Sequence, residues 1–102
     1  MKNILLVCGT GASSGFMAKN IRMAAKEEGI DISVKARSDS AVADYVNEID
    51  LLLVGPHLGY MLNDLKAICD PHNVPVALIP KDAYGELDGE AVLEFAMELL
   101  GE

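Results

Sequence analysis

Two stretches of the chain are apolar without interruption, Ile4-Leu5-Leu6-Val7 and Leu51-Leu52-Leu53-Val54. Branched aliphatics with no polar alternation suit strands covered on both faces, as inner strands of a parallel sheet are. A third stretch differs. Ile30, Ile32, Val34 and Ala36 alternate with Asp31, Ser33, Lys35 and Arg37, giving one buried and one wet face, which belongs at a sheet edge. The fourth, Val74 to Ile79, contains Pro75, which cannot donate to a ladder and also favours an edge. Helical spacing fills the intervals. The first helix runs from Ser13 or Ser14 to Glu28, with Met17, Ile21, Ala24 and Ala25 on its apolar face and Gly29 as its C-cap. The second places Val42, Tyr45, Val46 and Ile49 on one side. The third, Leu58 to Cys69, buries Met61, Leu65, Ile68 and Cys69 and is closed by Pro71. The last carries Val92, Phe95, Ala96 and Leu99.

Strand and helix thus alternate four times with no linker or repeat, which predicts one α/β domain over residues 1–102. With the unbroken strands inside and the other two at the edges, right-handed crossovers give an open four-stranded parallel sheet in the order 2-1-3-4, with helices on both faces. In such sheets ligands bind outside the carboxyl ends of the strands, where the chain direction reverses. Here that is beside strand one, with the Gly55-Pro56-His57 turn of strand three as its neighbour.

Charge narrows the partners. Sixteen acidic residues stand against eight basic ones, and a formal charge of −8 repels nucleic-acid phosphates and anionic lipid surfaces alike. No stretch approaches the roughly eighteen apolar residues that span a bilayer, and Met1-Lys2-Asn3 runs directly into strand pattern. The expectation is a cytoplasmic protein with no membrane insertion and no nucleic-acid partner. Cys8 and Cys69 are not spaced as a metal site or a redox pair, so no metal, no cofactor and no disulfide is expected.

Cys8 is the residue that changes the picture. It ends strand one and heads Gly9-Thr10-Gly11-Ala12-Ser13-Ser14-Gly15, which leads into the first helix. Glycines at 9, 11 and 15 let backbone N–H groups approach an anion, Ser13 and Ser14 can donate hydroxyls, and the helix N-terminus adds partial positive charge. Such a field lowers the thiol pKa, and the thiolate is the nucleophile. A thiolate in a phosphate nest can be transiently phosphorylated. Low-molecular-weight cysteine phosphatases share that step, and arsenate-reductase-like enzymes are kindred candidates, but a phosphatase loop reads Cys-x5-Arg, with Arg gripping the phosphoryl oxygens. Here that position is Ser14, and Arg22 and Arg37 lie too far along the chain to replace it. A phosphocarrier needs a phosphocysteine that survives, and the missing Arg suits one.

Other polar residues take plainer readings. His57 is a candidate hydrogen-bond donor to the phosphoryl group, His72 a solvated loop residue, and Cys69 a buried packing thiol. Tyr84, in Asp82-Ala83-Tyr84-Gly85, reads as a turn aromatic that packs on the sheet or meets a partner at the rim. The acidic residues around Glu86 to Glu90 read as solubilising charge.

Ile4-Leu5-Leu6-Val7-Cys8 with Gly11 and Ser13-Ser14, then Gly55-Pro56 with Tyr60-Met61-Leu62, then Tyr84-Gly85 with Asp88-Gly89, form an ordered set across the chain. In order and spacing the set resembles the cytoplasmic enzyme IIB components of the bacterial phosphoenolpyruvate-dependent sugar phosphotransferase system (PTS), in the lactose, cellobiose and chitobiose class. Cys8-Gly9-Thr10-Gly11 is also similar to the galactitol and ascorbate class, but Gly55-Pro56 and Tyr84-Gly85 favour the first. The resemblance implies a phosphotransferase whose Cys8 accepts phosphate from a phosphohistidine on enzyme IIA and delivers it to a sugar, a disaccharide such as cellobiose, chitobiose or lactose, held by the membrane permease enzyme IIC. Gly9 to Gly15 would be the cradle. The chain departs from the family pattern at His57, where relatives often carry Gln.

Overall fold

The two uninterrupted aliphatic strands pair with each other at the centre of the sheet. In the computed structural model, which describes residues 2–7 and 12–101 (backbone only for 12–14), β1 is Lys2–Val7, β2 Ile32–Arg37, β3 Leu51–Val54 and β4 Val76–Leu78. All pairings are parallel and the order is β2-β1-β3-β4, as the edge signals in β2 and around Pro75 predicted. Five α-helices surround the sheet: α1 (Ala12–Glu27), α2 (Val42–Tyr45), α3 (Leu62–Cys69), α4 (Lys81–Gly85) and α5 (Gly89–Leu100).

Because successive side chains of a strand point to opposite faces, each inner strand feeds two cores. Ile4 and Leu6 of β1 with Leu51 and Leu53 of β3 pack against Met17, Ile21 and Ala25 of α1 and Val92, Leu93 and Ala96 of α5. Leu5, Val7, Leu52 and Val54 pack on the other face against Val42 of α2 and Leu65 and Cys69 of α3. All eight inner-strand side chains are buried, so replacing any of them with a polar group would leave that group unsolvated.

Several elements are shorter than their sequence patterns suggest, and the cause is the way the preceding helix ends. β2 begins at Ile32 rather than Ile30 because Ile30 is taken up in closing α1: its N–H bonds the Ala25 carbonyl (2.9 Å), and Gly29, at φ 69°, donates to Lys26 (3.2 Å). That is a Schellman motif, with the apolar residue after the glycine packed back on the helix. β4 is trimmed in the same way. Val74 donates to Cys69 (3.2 Å) and Asn73, at φ 59°, to Asp70 (3.0 Å), so the strand starts after Pro75. The second helix contracts to α2, preceded by a 3-10 turn at Asp39–Ala41, yet Val42, Val46 and Ile49 are buried as their spacing required. The third is split into a 3-10 segment, Pro56–Met61, kinked within itself at Leu58 (φ −103°, ψ 21°), and α3, which starts at Leu62.

Two expectations at the C-terminal end are corrected. The stretch containing Tyr84 is a short helix, α4, and not a turn. It too closes in Schellman fashion, Asp88 donating to Ala83 (2.9 Å) and Leu87 to Tyr84 (3.1 Å), with Leu87 itself at φ 52°. A leucine in that region gives no local signal, since it costs roughly 1–2 kcal/mol that glycine would avoid. In α5 the buried stripe is Gly89, Val92, Leu93 and Ala96, so Phe95 is only partly buried and Leu99 is 39% exposed. The stripe is rotated because the helix starts where α1 and α5 nearly touch. A Cβ on Gly89 would fall on the backbone carbonyl of Asn20 and 2.8 Å from its Cβ. The Asn20 amide donates to the Leu87 carbonyl (2.9 Å), and Asp88 caps α5 by accepting from Ala91 N–H (3.1 Å).

Gly89→Ala is therefore expected to lower the unfolding free energy by about 1–3 kcal/mol through overpacking. Gly85→Ala, where nothing lies within 4 Å of the added carbon, serves as the control. Urea midpoints of the two variants check this, and equal midpoints would contradict the close approach of α1 and α5.

Candidate functional site

The chain leaves β1 for one side of the sheet and β3 for the other, so the carboxyl ends of these paired strands border the crevice where such folds bind ligands. Their ladder continues past the strands. Gly55 N–H donates to the Val7 carbonyl (2.9 Å), and Ile79 N–H to the Val54 carbonyl (2.8 Å), which brings the segments after β3 and β4 to the same edge of the sheet as the end of β1. Cys8 follows Val7 directly. Cys8, Gly9, Thr10 and Gly11, together with the side chains of Ala12, Ser13 and Ser14, lie outside the described residues. The cradle expected over Gly9 to Gly15 is thus described from Ala12 onward, where α1 starts, sixteen residues long with no acidic residue in its first turn. The first turn of α1 thus carries no carboxylate of its own to offset the positive end of the helix dipole.

The opposite bank is built by the 3-10 turn after β3. Pro56 fixes the backbone at its first position, and Leu58 N–H closes on the Gly55 carbonyl (2.9 Å), leaving His57 exposed between them. Tyr84 in α4 meets it: the two rings lie 5.7 Å apart between centroids and tilt by 48°. The structure therefore brings together the two side chains outside the loop that the sequence singled out. Sequence alone gives no signal for that contact, because it depends on β4 following β3 in the sheet.

The remaining candidates fall elsewhere. His72 sits in the 3-10 turn that leads into β4, at the amino ends of the strands and across the sheet from Cys8's place. Arg22 donates to the Val34 carbonyl (2.7 Å), level in the sheet with Ile4. Arg37 stands level with Val7 but donates to the Ala36 carbonyl (2.7 Å) and the Tyr45 hydroxyl (3.1 Å), with its guanidinium over the Tyr45 ring. Both arginines of the chain are thus engaged with β2 and α2. Two acidic residues have structural work that the sequence reading missed: Asp88 as a cap, and Asp50, whose carboxylate accepts the Asn3 N–H (2.8 Å). A groove of about 470 Å³ lies away from the strand ends, between Asn20 and Met23 of α1 and residues 86–90.

Cys69 is fully buried among Leu65, Val74 and the inner face of β3. Burial pushes its thiol pKa up, and the Asp70 carboxylate adds to the effect. It is expected to resist alkylation in the native protein and to react once the chain is unfolded, as mass spectrometry after labelling with and without denaturant would show. A thiol held neutral by the fold contributes stability below the pKa of a free cysteine, and that contribution fades as pH rises above it. Native labelling of Cys69 as fast as in denaturant would contradict the packing.

A doubly covered parallel sheet with a helix starting beyond β1 at its reversal point defines a class: an open α/β domain of the kind whose ligands sit at the carboxyl ends of the strands. The family described as "PTS system, Lactose/Cellobiose specific IIB subunit" is matched over residues 3–95. The chain belongs to that family and is a sugar-specific phosphotransfer component of the PTS. It is 28% identical to the oligo-beta-mannoside-specific EIIB component of Bacillus subtilis, with 98% of this chain and 97% of that one aligned. The solution structure of the cellobiose-specific IIB component from Borrelia burgdorferi is 30% identical, with a TM-score of 0.81 and coverage of 98% and 92%. The lactose-specific IIB domain from Streptococcus pneumoniae shares the fold at a TM-score of 0.86, with 17% identity and 95% of each chain covered. The chain also matches lactose-specific EIICB components but spans only 16% of the one from Lacticaseibacillus casei.

Proposed function

We propose that the protein is a cytoplasmic phosphocarrier that takes a phosphoryl group onto Cys8 from a phosphohistidine of enzyme IIA and passes it to a sugar held by the membrane permease, enzyme IIC. The observation that supports the reading is the bond from Gly55 N–H to the Val7 carbonyl, which extends the β1–β3 pairing to the last described residue before Cys8, at the carboxyl ends of the two inner strands. In the first transfer the Cys8 thiolate attacks phosphorus, the S–P bond forms, and the P–N bond to the donor imidazole breaks. In the second a sugar hydroxyl attacks phosphorus, the S–P bond breaks, and sulfur leaves as the thiolate while the hydroxyl gives its proton to a base. The N–H groups of Gly9 to Gly15, with the hydroxyls of Ser13 and Ser14, neutralise the phosphoryl oxygens in both steps.

The fused EIICB relatives support a permease as the acceptor's holder, since there a stretch similar to this chain is part of one polypeptide with the IIC portion that their name gives. Among the described residues no helix is long and apolar enough to cross a membrane, so this portion would meet the permease at its surface. The sugar is a disaccharide of the cellobiose, chitobiose or lactose kind. The phosphatase alternative is disfavoured: Ser14 stands where a phosphatase loop has Arg, and Arg22 and Arg37 are bonded to β2 carbonyls.

Incubation with phosphoenolpyruvate, the general phosphotransferase proteins and a cognate enzyme IIA is expected to add one phosphoryl group, on Cys8, and Cys8→Ser is expected to abolish it. Intact and tandem mass spectrometry read the result. A group on His57 or His72, or rapid catalytic hydrolysis of an aryl phosphate, would overturn the carrier reading.

A further inference from the structure

The carboxyl edge holds one arrangement that phosphoryl transfer through Cys8 and its loop does not require, the pairing of His57 with Tyr84. One member comes from the β3–β4 crossover and the other from the segment after β4. His57 is the second residue of the 3-10 turn after β3 and Tyr84 the fourth of α4, and they meet because β3 and β4 are neighbours, with Ile79 bonded to Val54 just before the chain enters α4. A centroid distance of 5.7 Å and a tilt of 48° fall within the favourable range for ring pairs. Neither core depends on the contact. Tyr84 packs at the margin of the cluster formed with α1 and α5, whereas His57 is exposed and belongs to neither cluster. An exposed side chain left to itself samples its rotamers, and a ring anchored at a core margin restrains this one.

The backbone beneath His57 is equally constrained. Pro56 precedes it, the Leu58 to Gly55 bond closes over it, and Gly55 is tied to Val7, the residue before Cys8. The imidazole is therefore held at the carboxyl end of β3, against Tyr84. The site otherwise lacks a side-chain donor of the kind that phosphatases use, because both arginines are engaged with β2. A guanidinium grips two oxygens at once, whereas an imidazole donates a single bond from a given nitrogen.

We infer that His57 is a hydrogen-bond donor to the phosphoryl group during its transfer to and from Cys8, and that Tyr84 is the positioning residue that holds the imidazole ready. The inference rests on Cys8 as the phosphoacceptor and adds to it a side-chain contact from the β3 turn. It also assigns a role to a position where this chain departs from the family pattern.

Ring-nitrogen NMR of the intact wild-type protein tests it without any substitution. On phosphorylation the His57 ring resonances are expected to move while those of His72, at the far end of the sheet, stay in place. In the relay, His57→Ala is expected to slow phosphoryl acceptance from enzyme IIA by about tenfold or more, the size of one charge-assisted hydrogen bond. His57→Gln, which restores an N–H donor, recovers much of that loss. Tyr84→Leu is expected to reduce the rate several-fold and to shrink the His57 shift change, and Tyr84→Phe, which keeps the ring, restores both. A phosphorylated Cys8 with unmoved His57 resonances, or a His57→Ala protein as fast as wild type, overturns the inference and leaves the carrier reading standing. Failure of Cys8 to take the group at all overturns both.

Discussion

The parallel pairing of β1 with β3 is the constraint on which the rest depends. Four aliphatic residues in each strand are buried on both sides, so neither strand can slip by one residue without exchanging the two cores. The register that results carries the ladder one bond further, from Gly55 to Val7, the residue before Cys8. The energy that fixes the crevice therefore comes from apolar burial at a distance from it. The proposed anion cradle, which begins after β1 and runs into the start of α1, need supply none of that energy.

Much of this was legible because it follows from patterns with one physical solution. The unbroken aliphatic runs are the inner strands, the alternation read from Ile30 to Arg37 holds the edge strand from Ile32 onward, and Pro75 stands just outside the strand that it predicted to lie at an edge. Strand order followed, and with it the end of the sheet at which Cys8 belongs. Boundaries were less legible, since they depend on bonds between residues five apart at helix ends. Ile30 and Val74 look like the first residues of strands by hydropathy, yet each donates backward to the helix before it. Leu87 hides a helix end because its left-handed conformation falls on a residue that does not favour it.

For the site, chemistry was easier to see in the sequence than geometry. A thiol ahead of three glycines and two serines names an anion site by composition, and the topology supports its place, although Cys8 to Gly11 lie outside the described residues. His57 and Tyr84 were legible only as separate candidates. Their contact joins residues 27 positions apart through the β3–β4 pairing, and no local pattern encodes it. The arginines show the converse: their distance from Cys8 in sequence already argued against a phosphatase, and their bonds to β2 give that distance a structural cause.

Electrostatics sets two effects against each other at the proposed nucleophile. The chain's charge of −8 raises the cost of a thiolate anywhere on the protein, but at physiological salt it is screened over roughly 8 Å. In the proposed cradle the backbone N–H groups and the start of α1 would act within hydrogen-bond reach, so the local field would prevail at Cys8. The rate of Cys8 alkylation as a function of pH, followed by mass spectrometry in the free protein, measures this directly. A midpoint below the value of about 8.5 for an unperturbed cysteine, with the reaction slowed by added inorganic phosphate, is the result expected of a thiol in an anion cradle. A midpoint at or above that of a free cysteine, with no effect of phosphate, would mean that the loop after β1 does not stabilise negative charge at the sulfur.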